Sequence, residues 1–241
     1  MDTLVSSSMS RAFFRPGFRW DAADAYLFDI DGTLLNSRDA VHYFAFQTAM
    51  RQVMGIAQAT IDNVPVHGNT DIGILRAALR QRGVSDATIN ERLPAILKLI
   101  CEEVERNQEQ LRPELCPSIQ KLILHLREKG KLLGAASGNL ETIAWLKLEK
   151  AGLKPFFSLG SFSNPREHRA DIFRYGITQA RQRLGESAQV FVVGDTPSDI
   201  AAAKEAGVPI IALATGVFSF DDLLACGPDA CAACGADLFS S

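Results

Sequence analysis

The chain has no marked excess of either charge, no apolar run that approaches a membrane span, and no internal repeat or low-complexity tract. Its 25 Lys and Arg stand against 28 Asp and Glu, a formal net charge of −3. A nucleic-acid binder would be expected to show a basic footprint, so that class is set aside. Charged residues interrupt the long hydrophobic segments, which argues against insertion in a bilayer. Five cysteines are an odd number and do not suggest a disulfide framework in a chain of 241 residues. Cys226, Cys231 and Cys234 cluster late, but no His or Cys follows Cys234 to complete a zinc or iron–sulfur ligand set. They read as small hydrophobes with a structural or incidental role. Met1 to Ser10 is polar and Ser-rich, without the basic-then-apolar order of a secretory signal. It reads as a loose tail, and the cytoplasm is the expected compartment.

With 47% hydrophobic and 22% charged residues, the composition is that of an ordinary globular protein. The chain is organised around the stretch from Ala25 to Leu35. Tyr26 to Phe28 reads as a buried strand that stops at an acidic, glycine-containing turn, Asp29-Ile30-Asp31-Gly32-Thr33. Two carboxylates two residues apart at a strand's carboxyl end lie where open α/β sheets bind ligands. Because ionised carboxylates repel, the pair implies a metal or a raised pKa. A helix-capping Asp/Gly turn is the plain alternative for this tripeptide alone. A calcium loop is excluded, since Leu34, Leu35 and Val41 fill the positions where further acids are needed.

Phe13, Phe14, Phe18 and Trp20 precede that strand and are placed over one edge of the core. From Asp39 to about Arg112 the chain reads all-helical. Val41, Phe44, Ala45, Ala49 and Val53 share one spacing, and Ile72, Leu75, Ala78 and Leu79 share the next. A third helix from Asp86 toward Gln110 should be kinked or split at Pro94. From Ser118 onward, helices and strands alternate. The helices are Ile119 to Glu128, Leu140 to Ala151 with Asn139 as N-cap, and Ala170 to Leu184. The strands are Leu132 to Ala136, Phe156 to Phe162, Val190 to Val193 and Pro209 to Ala214. Thr196 as N-cap, Pro197 at the first helical position and Asp199 at the third form a strong helix start. Alternating βα units mean a mainly parallel, Rossmann-like α/β sheet covered on both faces, with the all-helical segment as an insertion.

Three strand ends therefore carry polar loops: Asp29/Asp31/Thr33, Ser137/Gly138/Asn139 and Asp195/Thr196/Asp199. In a parallel sheet these ends share one edge and can converge. They offer acceptor-only oxygens for a hard cation, a hydroxyl and N–H groups for phosphate, and a candidate nucleophile.

Asp29-Ile30-Asp31-Gly32-Thr33-Leu34, Ala136-Ser137-Gly138-Asn139 and Gly194-Asp195-Thr196-Pro197-Ser198-Asp199 resemble the first, second and fourth motifs of the haloacid dehalogenase-like (HAD) hydrolase superfamily. The likeness runs from about Ala25 to Leu213. His67-Gly68-Asn69-Thr70-Asp71 is similar to a cap segment of its phosphoglycolate phosphatase-like branch. The resemblance implies a HAD fold with a core of residues 1–37 and 113–241 and a helical cap of residues 38–112. It further implies a Mg²⁺-dependent phosphomonoesterase acting on a small phosphorylated metabolite, as a monomer or homodimer. Asp29 is then the nucleophile that becomes an aspartyl phosphate, and Asp31 the general acid and base. Ser137 with the Gly138 and Asn139 amides holds phosphoryl oxygens, and Thr70 in the cap is a substrate-binding candidate beside His67. Asp195 completes the Mg²⁺ shell with Asp29 and the backbone carbonyl of Asp31, while Asp199 acts through water or holds its neighbours.

One departure from the family pattern bears on the charge balance. Its third motif is a lysine before a helix, yet no lysine lies between Lys154 and Lys204. Arginine can grip phosphate with its fork. Arg169 is the first candidate for the role and Arg166 the second. A sugar phosphomutase of the same superfamily and a non-catalytic phospho-ligand binding protein are the alternative readings.

Overall fold

A computed structural model of the chain describes residues 11–240. The polar Met1 to Ser10 stretch, expected to be a tail, lies outside the described residues. Strand β2 (Ala25–Phe28) sits in the middle of a seven-stranded sheet. On one side it pairs in parallel with β5 (Leu132–Ala136), which pairs with β6 (Leu159–Ser161). On the other side come β7 (Val190–Gly194), β8 (Ile210–Leu213) and β9 (Ala230–Ala232), all parallel. The edge strand β1 (Ala12–Phe14) runs antiparallel to β9. The expected mainly parallel α/β sheet is thus present.

Period-two alternation explains why both faces of the sheet are buried. Tyr26 and Phe28 point into one core with Phe191, Val193 and Leu133, beneath α4 (Ile119–Glu128) and α5 (Glu141–Lys150). Ala25 and Leu27 point into the other with Val190 and Val192. That second core is covered by α6 (Arg169–Leu184) and α7 (Pro197–Glu205), with the short α8 (Phe220–Ala225) beside them. Every polar loop of interest leaves the same edge because β2, β5 and β7 run the same way.

Between β2 and β5 the chain leaves the sheet through a two-stranded antiparallel ribbon, β3 (Leu35–Ser37) with β4 (Pro113–Leu115). The ribbon carries three helices, α1 (Val41–Met54), α2 (Asp71–Arg80) and α3 (Asp86–Arg106). They share an apolar cluster of their own, which Leu140 and Ile143 of the core join. Among the described residues no helix is long and apolar enough to cross a membrane.

Several expectations need correction. The ribbon strands and β9 are three residues each, too short for a periodic signal. Phe44 is 58% exposed, and α1 buries Phe46 and Met50 instead. Pro94 neither splits nor ends α3. It lies on the exposed face, where the carbonyl of Asn90 loses its helical partner but stays open to water. Leu140, not Asn139, occupies the N-cap position of α5, and no side chain caps it. The strand expected over Phe156 to Phe162 shrinks to Leu159–Ser161 because a 3₁₀ turn takes Lys154–Phe156. Cys231 is buried in β9, where desolvation pushes its thiol up to about 12.

Candidate active site

Asp29 follows β2 directly and is 4% exposed, its N–H donating to the Val193 carbonyl at 2.9 Å. The chain then doubles back: Leu34 and Leu35 both donate to the Ile30 carbonyl, and Gly32 donates to that of Leu35 at 2.8 Å. This turn carries Asp31 over the same volume as Asp29. Gly32 has a φ of +89°, and a Cβ there would lie 2.1 Å from Asp195 Oδ2. Only glycine lets the turn pass that close to the third carboxylate. Thr33 fixes the far side, its hydroxyl donating to Asp195 Oδ1 at 2.9 Å.

Asp195 and Asp199 come from the end of β7 and the start of α7. Thr196 and Asp199 form a reciprocal capping box, with Thr196 N–H and Oγ1 donating to Asp199 Oδ2 at 3.0 and 2.7 Å. Such a cap contributes about 1 kcal/mol to the helix and here also pins a buried carboxylate. One oxygen each from Asp29, Asp195 and Asp199 lies within 4.8 Å of the others. Burial, followed by the repulsion of Asp199 and Asp29, pushes Asp195 up to about 9. Asp29 rises to about 6 through burial, against the pull of Arg169.

Arg169 is the first residue of α6, and it turns its guanidinium into this cluster. Its Nη2 lies 2.9 Å from Asp29 Oδ1 and its Nε 2.5 Å from Asp199 Oδ1. The contact with Asp29 is a charge contact rather than an aimed hydrogen bond, since both atoms lack a hydrogen-bond partner. Burial works against the arginine's charge, but Asp199 and Asp29 outweigh it and raise its pKa. Arg166 instead lays its guanidinium on the Tyr175 ring, 3.5 Å from the centroid. Of the two arginines, Arg169 is the one beside the carboxylates.

The helix that follows the β5 loop brings a cation that sequence reasoning missed. Lys147, on α5 and 4% exposed, places its Nζ 2.8 and 2.7 Å from the two oxygens of Asp31 and 3.0 Å from Asn139 Oδ1. Asn139 Nδ2 in turn donates to Asp31 Oδ2 at 2.7 Å and to Ser137 Oγ at 2.9 Å. Burial would raise the Asp31 pKa, but Lys147 outweighs it and holds the carboxyl below its ordinary value. A signal for Lys147 did exist. Ile143, Ala144, Lys147 and Leu148 form the buried stripe of α5, and a lysine on such a stripe needs a partner.

The insertion closes over these groups. Asp71 N–H donates to the Gly138 carbonyl at 2.8 Å, and Asp71 Oδ2 accepts from Leu140 N–H at 2.8 Å. A Cβ on Gly138 would lie 2.3 Å from the Asn69 carbonyl, so this loop takes the cap only because it is bare. Arg76 forks onto both oxygens of Glu167 at 2.8 Å. The substrate-contact expectation for Thr70 is not met. Its hydroxyl caps α2 by accepting from Gly73 N–H and donates to the Glu167 carbonyl, which commits it to helix and closure. His67 is exposed and lines the cavity of about 450 Å³, as do Asp29, Asp31, Ser137 and Arg169.

The donor set suits a hard divalent cation. Four carboxyl groups, Asp29, Asp31, Asp195 and Asp199, face two cations, Arg169 and Lys147, so full ionisation would leave two negative charges for a cation to balance. Asp29 Oδ1 has no hydrogen-bond donor. Both Asp199 oxygens are engaged by Arg169 and Thr196, so Asp29 and Asp195 are the carboxylates left to bind an ion. The Asp31 side chain is committed to Lys147 and Asn139 and stands outside the cluster of three.

The sequence matches the family described as "Hydrolase: haloacid dehalogenase-like hydrolase" over residues 23–207. A phosphoglycolate phosphatase of Synechococcus elongatus is 28% identical over 85% of this chain and 90% of its own length. One from Mesorhizobium japonicum is 26% identical over 79% and 82%. Among solved structures, a variant of CbbY from Rhodobacter sphaeroides in complex with xylulose-1,5-bisphosphate superposes with a TM-score of 0.68 at 19% identity. That match covers 89% of this chain and 95% of the other, a likeness of fold.

Proposed function

The chain belongs to the haloacid dehalogenase-like hydrolase family, and on that premise we propose that it is a Mg²⁺-dependent phosphomonoesterase working through an aspartyl phosphate on Asp29. The observation that carries the reading is the meeting of Asp29, Asp31, Asp195 and Arg169 in one cavity at the carboxyl edge of the sheet. The substrate is a small phosphorylated metabolite, the class to which the phosphoglycolate in the relatives' names belongs.

In this mechanism Asp29 attacks phosphorus, and the leaving oxygen departs with a proton from Asp31. The resting site holds Asp31 ionised beside Lys147. The phosphate brings negative charge next to it and so favours its protonated form as substrate arrives. In the second step Asp31, ionised again, takes a proton from the water that hydrolyses the aspartyl phosphate. The Ser137 hydroxyl and the Gly138 and Asn139 amides donate to the phosphoryl oxygens. Arg169 stabilises the charge that builds on the transferring group, a role that donors placed in advance perform well. Asp29, Asp195 and the Asp31 backbone carbonyl would hold Mg²⁺, which would supply positive charge to offset that of the carboxylates and the phosphate. The helical segment acts as a cap that opens for substrate and closes to exclude water.

The test is phosphate release from a panel of phosphorylated metabolites, with Mg²⁺ and after its removal by chelation. Turnover that vanishes with EDTA and returns with Mg²⁺ supports the reading. Full activity in metal-free protein overturns the metal's part in it, and no phosphate release from any panel member overturns the whole.

A further inference from the structure

The cavity continues past the carboxylates, and its far half has a different chemistry. Phe46 of α1, Ile74 of α2 and Ile61, Val64 and Val66 of the segment between them form an apolar wall. Phe46, Ile61, Val64 and Ile74 are each buried. The charged groups on that side are acids and histidines. Asp62 is exposed and accepts from Tyr43 and Thr60. His42 stacks on Phe46, with Nε2 3.2 Å from Asp71 Oδ2. His67 is exposed.

Two strong cations line the cavity, and both are spoken for. Arg169 is held between Asp29 and Asp199, and Lys147 between Asp31 and Asn139. Among the described lining residues no Lys or Arg is left for a second anionic group on a substrate. A carboxylate placed there would lose its water beside Asp62 and gain no such partner. Phosphoglycolate, with two carbons and a carboxylate, would leave the apolar wall unfilled and its own charge unanswered.

Resting on the phosphatase reading above, we infer that the cavity takes the phosphomonoester of an uncharged alcohol with an apolar body, and rejects substrates bearing a second anion. The phosphate lies among Asp29, Ser137 and Arg169, and the alcohol's carbon skeleton packs on Phe46, Ile74 and Val66. A volume of about 450 Å³ suits a ligand of that size. Selectivity then has two sources, burial of carbon against the wall and exclusion of charge by Asp62, and they can be removed separately.

The experiment measures kcat/KM of the full chain with Mg²⁺ on two esters, phenethyl phosphate and phosphoglycolate, and on an acyl phosphate, acetyl phosphate. Acetyl phosphate has an activated leaving group and asks little of the far wall. Phenethyl phosphate should exceed phosphoglycolate by about tenfold or more, the scale of a few buried carbons. Phe46→Ala should lower the phenethyl-to-acetyl ratio by about tenfold. Asp62→Lys, at an exposed position, should shift the phosphoglycolate-to-phenethyl ratio upward by roughly threefold to fivefold, the scale of an exposed charge contact. A wild-type preference for phosphoglycolate, or ratios that neither substitution moves, overturns the inference while leaving the phosphatase reading standing. If none of the three compounds, acetyl phosphate included, is hydrolysed, the phosphatase reading fails and takes this inference with it.

Discussion

The ammonium of Lys147 spans the carboxylate of Asp31, 2.8 Å from one oxygen and 2.7 Å from the other. The pair joins α5 to the loop after β2, and it sets both the position and the charge of the group proposed as acid and base. Lys147→Met keeps the length of the side chain and removes the charge. It should lower kcat by roughly ten- to a hundred-fold, the scale of about 1.5–3 kcal/mol for a charge-assisted contact. Lys147 is the main opponent of burial at Asp31, so its removal should raise the Asp31 pKa and move the basic limb of kcat/KM, which the acid form of Asp31 sets, to higher pH. An unchanged pH profile in Lys147→Met would show that the lysine does not tune Asp31.

Arg169 supplies charge to Asp29 and Asp199 from the first turn of α6. Arg169→Ala should cost about 2–4 kcal/mol of transition-state stabilisation, or roughly thirty- to a thousand-fold in rate. Arg169→Lys should recover part of it. Arg166→Ala, which removes only a guanidinium stacked on Tyr175, should leave the rate within about twofold. Steady-state assays of the three variants decide between the arginines.

Asp29→Asn should abolish turnover while the protein stays folded. Burial and two neighbouring acids, Asp199 and Asp31, disfavour the charged form of Asp29, so losing its charge relieves repulsion while Arg169 keeps Asp199. Circular dichroism should show an unchanged fold. Near-normal phosphate release from this variant would remove Asp29 from the mechanism.

The carboxylate cluster predicts a pH-dependent response to metal. Asp29 and Asp195 have pKa values raised from 3.8 to about 6 and about 9, so the folded chain holds protons that the unfolded chain has released. With more protons bound in the folded state, metal-free stability falls as pH rises from about 4 through 6 and toward 9. A divalent ion that binds the ionised pair should therefore raise Tm more at about pH 8 than at about pH 5.5. Thermal melts with and without Mg²⁺ at the two pH values test this, and an equal shift at both would contradict it.

The fork of Arg76 on Glu167 ties α2 to the loop before α6. Half-exposed and bidentate, it should hold the closed cap by about 1 kcal/mol. Arg76→Ala should then raise KM by roughly fivefold, and Glu167→Gln should do the same. The double variant should lose no more than either alone, because both break one contact.

The loops of the candidate site were legible because their signals are local. A buried strand that stops at Asp29-Ile30-Asp31, and a Thr196-Pro197-Ser198-Asp199 helix start, each state their geometry within a few residues. The ribbon of β3 with β4 was not, because its partners lie far apart in sequence and neither carries enough residues to show a period. Thr70 stayed between two readings for a related reason. A threonine before a helix reads equally as cap or ligand, and only the Glu167 carbonyl above it decides.

By itself the sequence determined that a mainly parallel sheet would carry Asp29, Asp31, Asp195 and the Ser137 loop to one edge. Period-two burial and strand direction leave no other place for them. Tertiary structure decided which cation meets which acid. Helix rotation on the sheet turns Arg169 inward and Arg166 onto Tyr175, and it brings Lys147 to Asp31 across 116 residues of chain. That pairing depends on how α5 and α6 pack against strands distant in sequence, and no local pattern encodes a side chain's partner at that range.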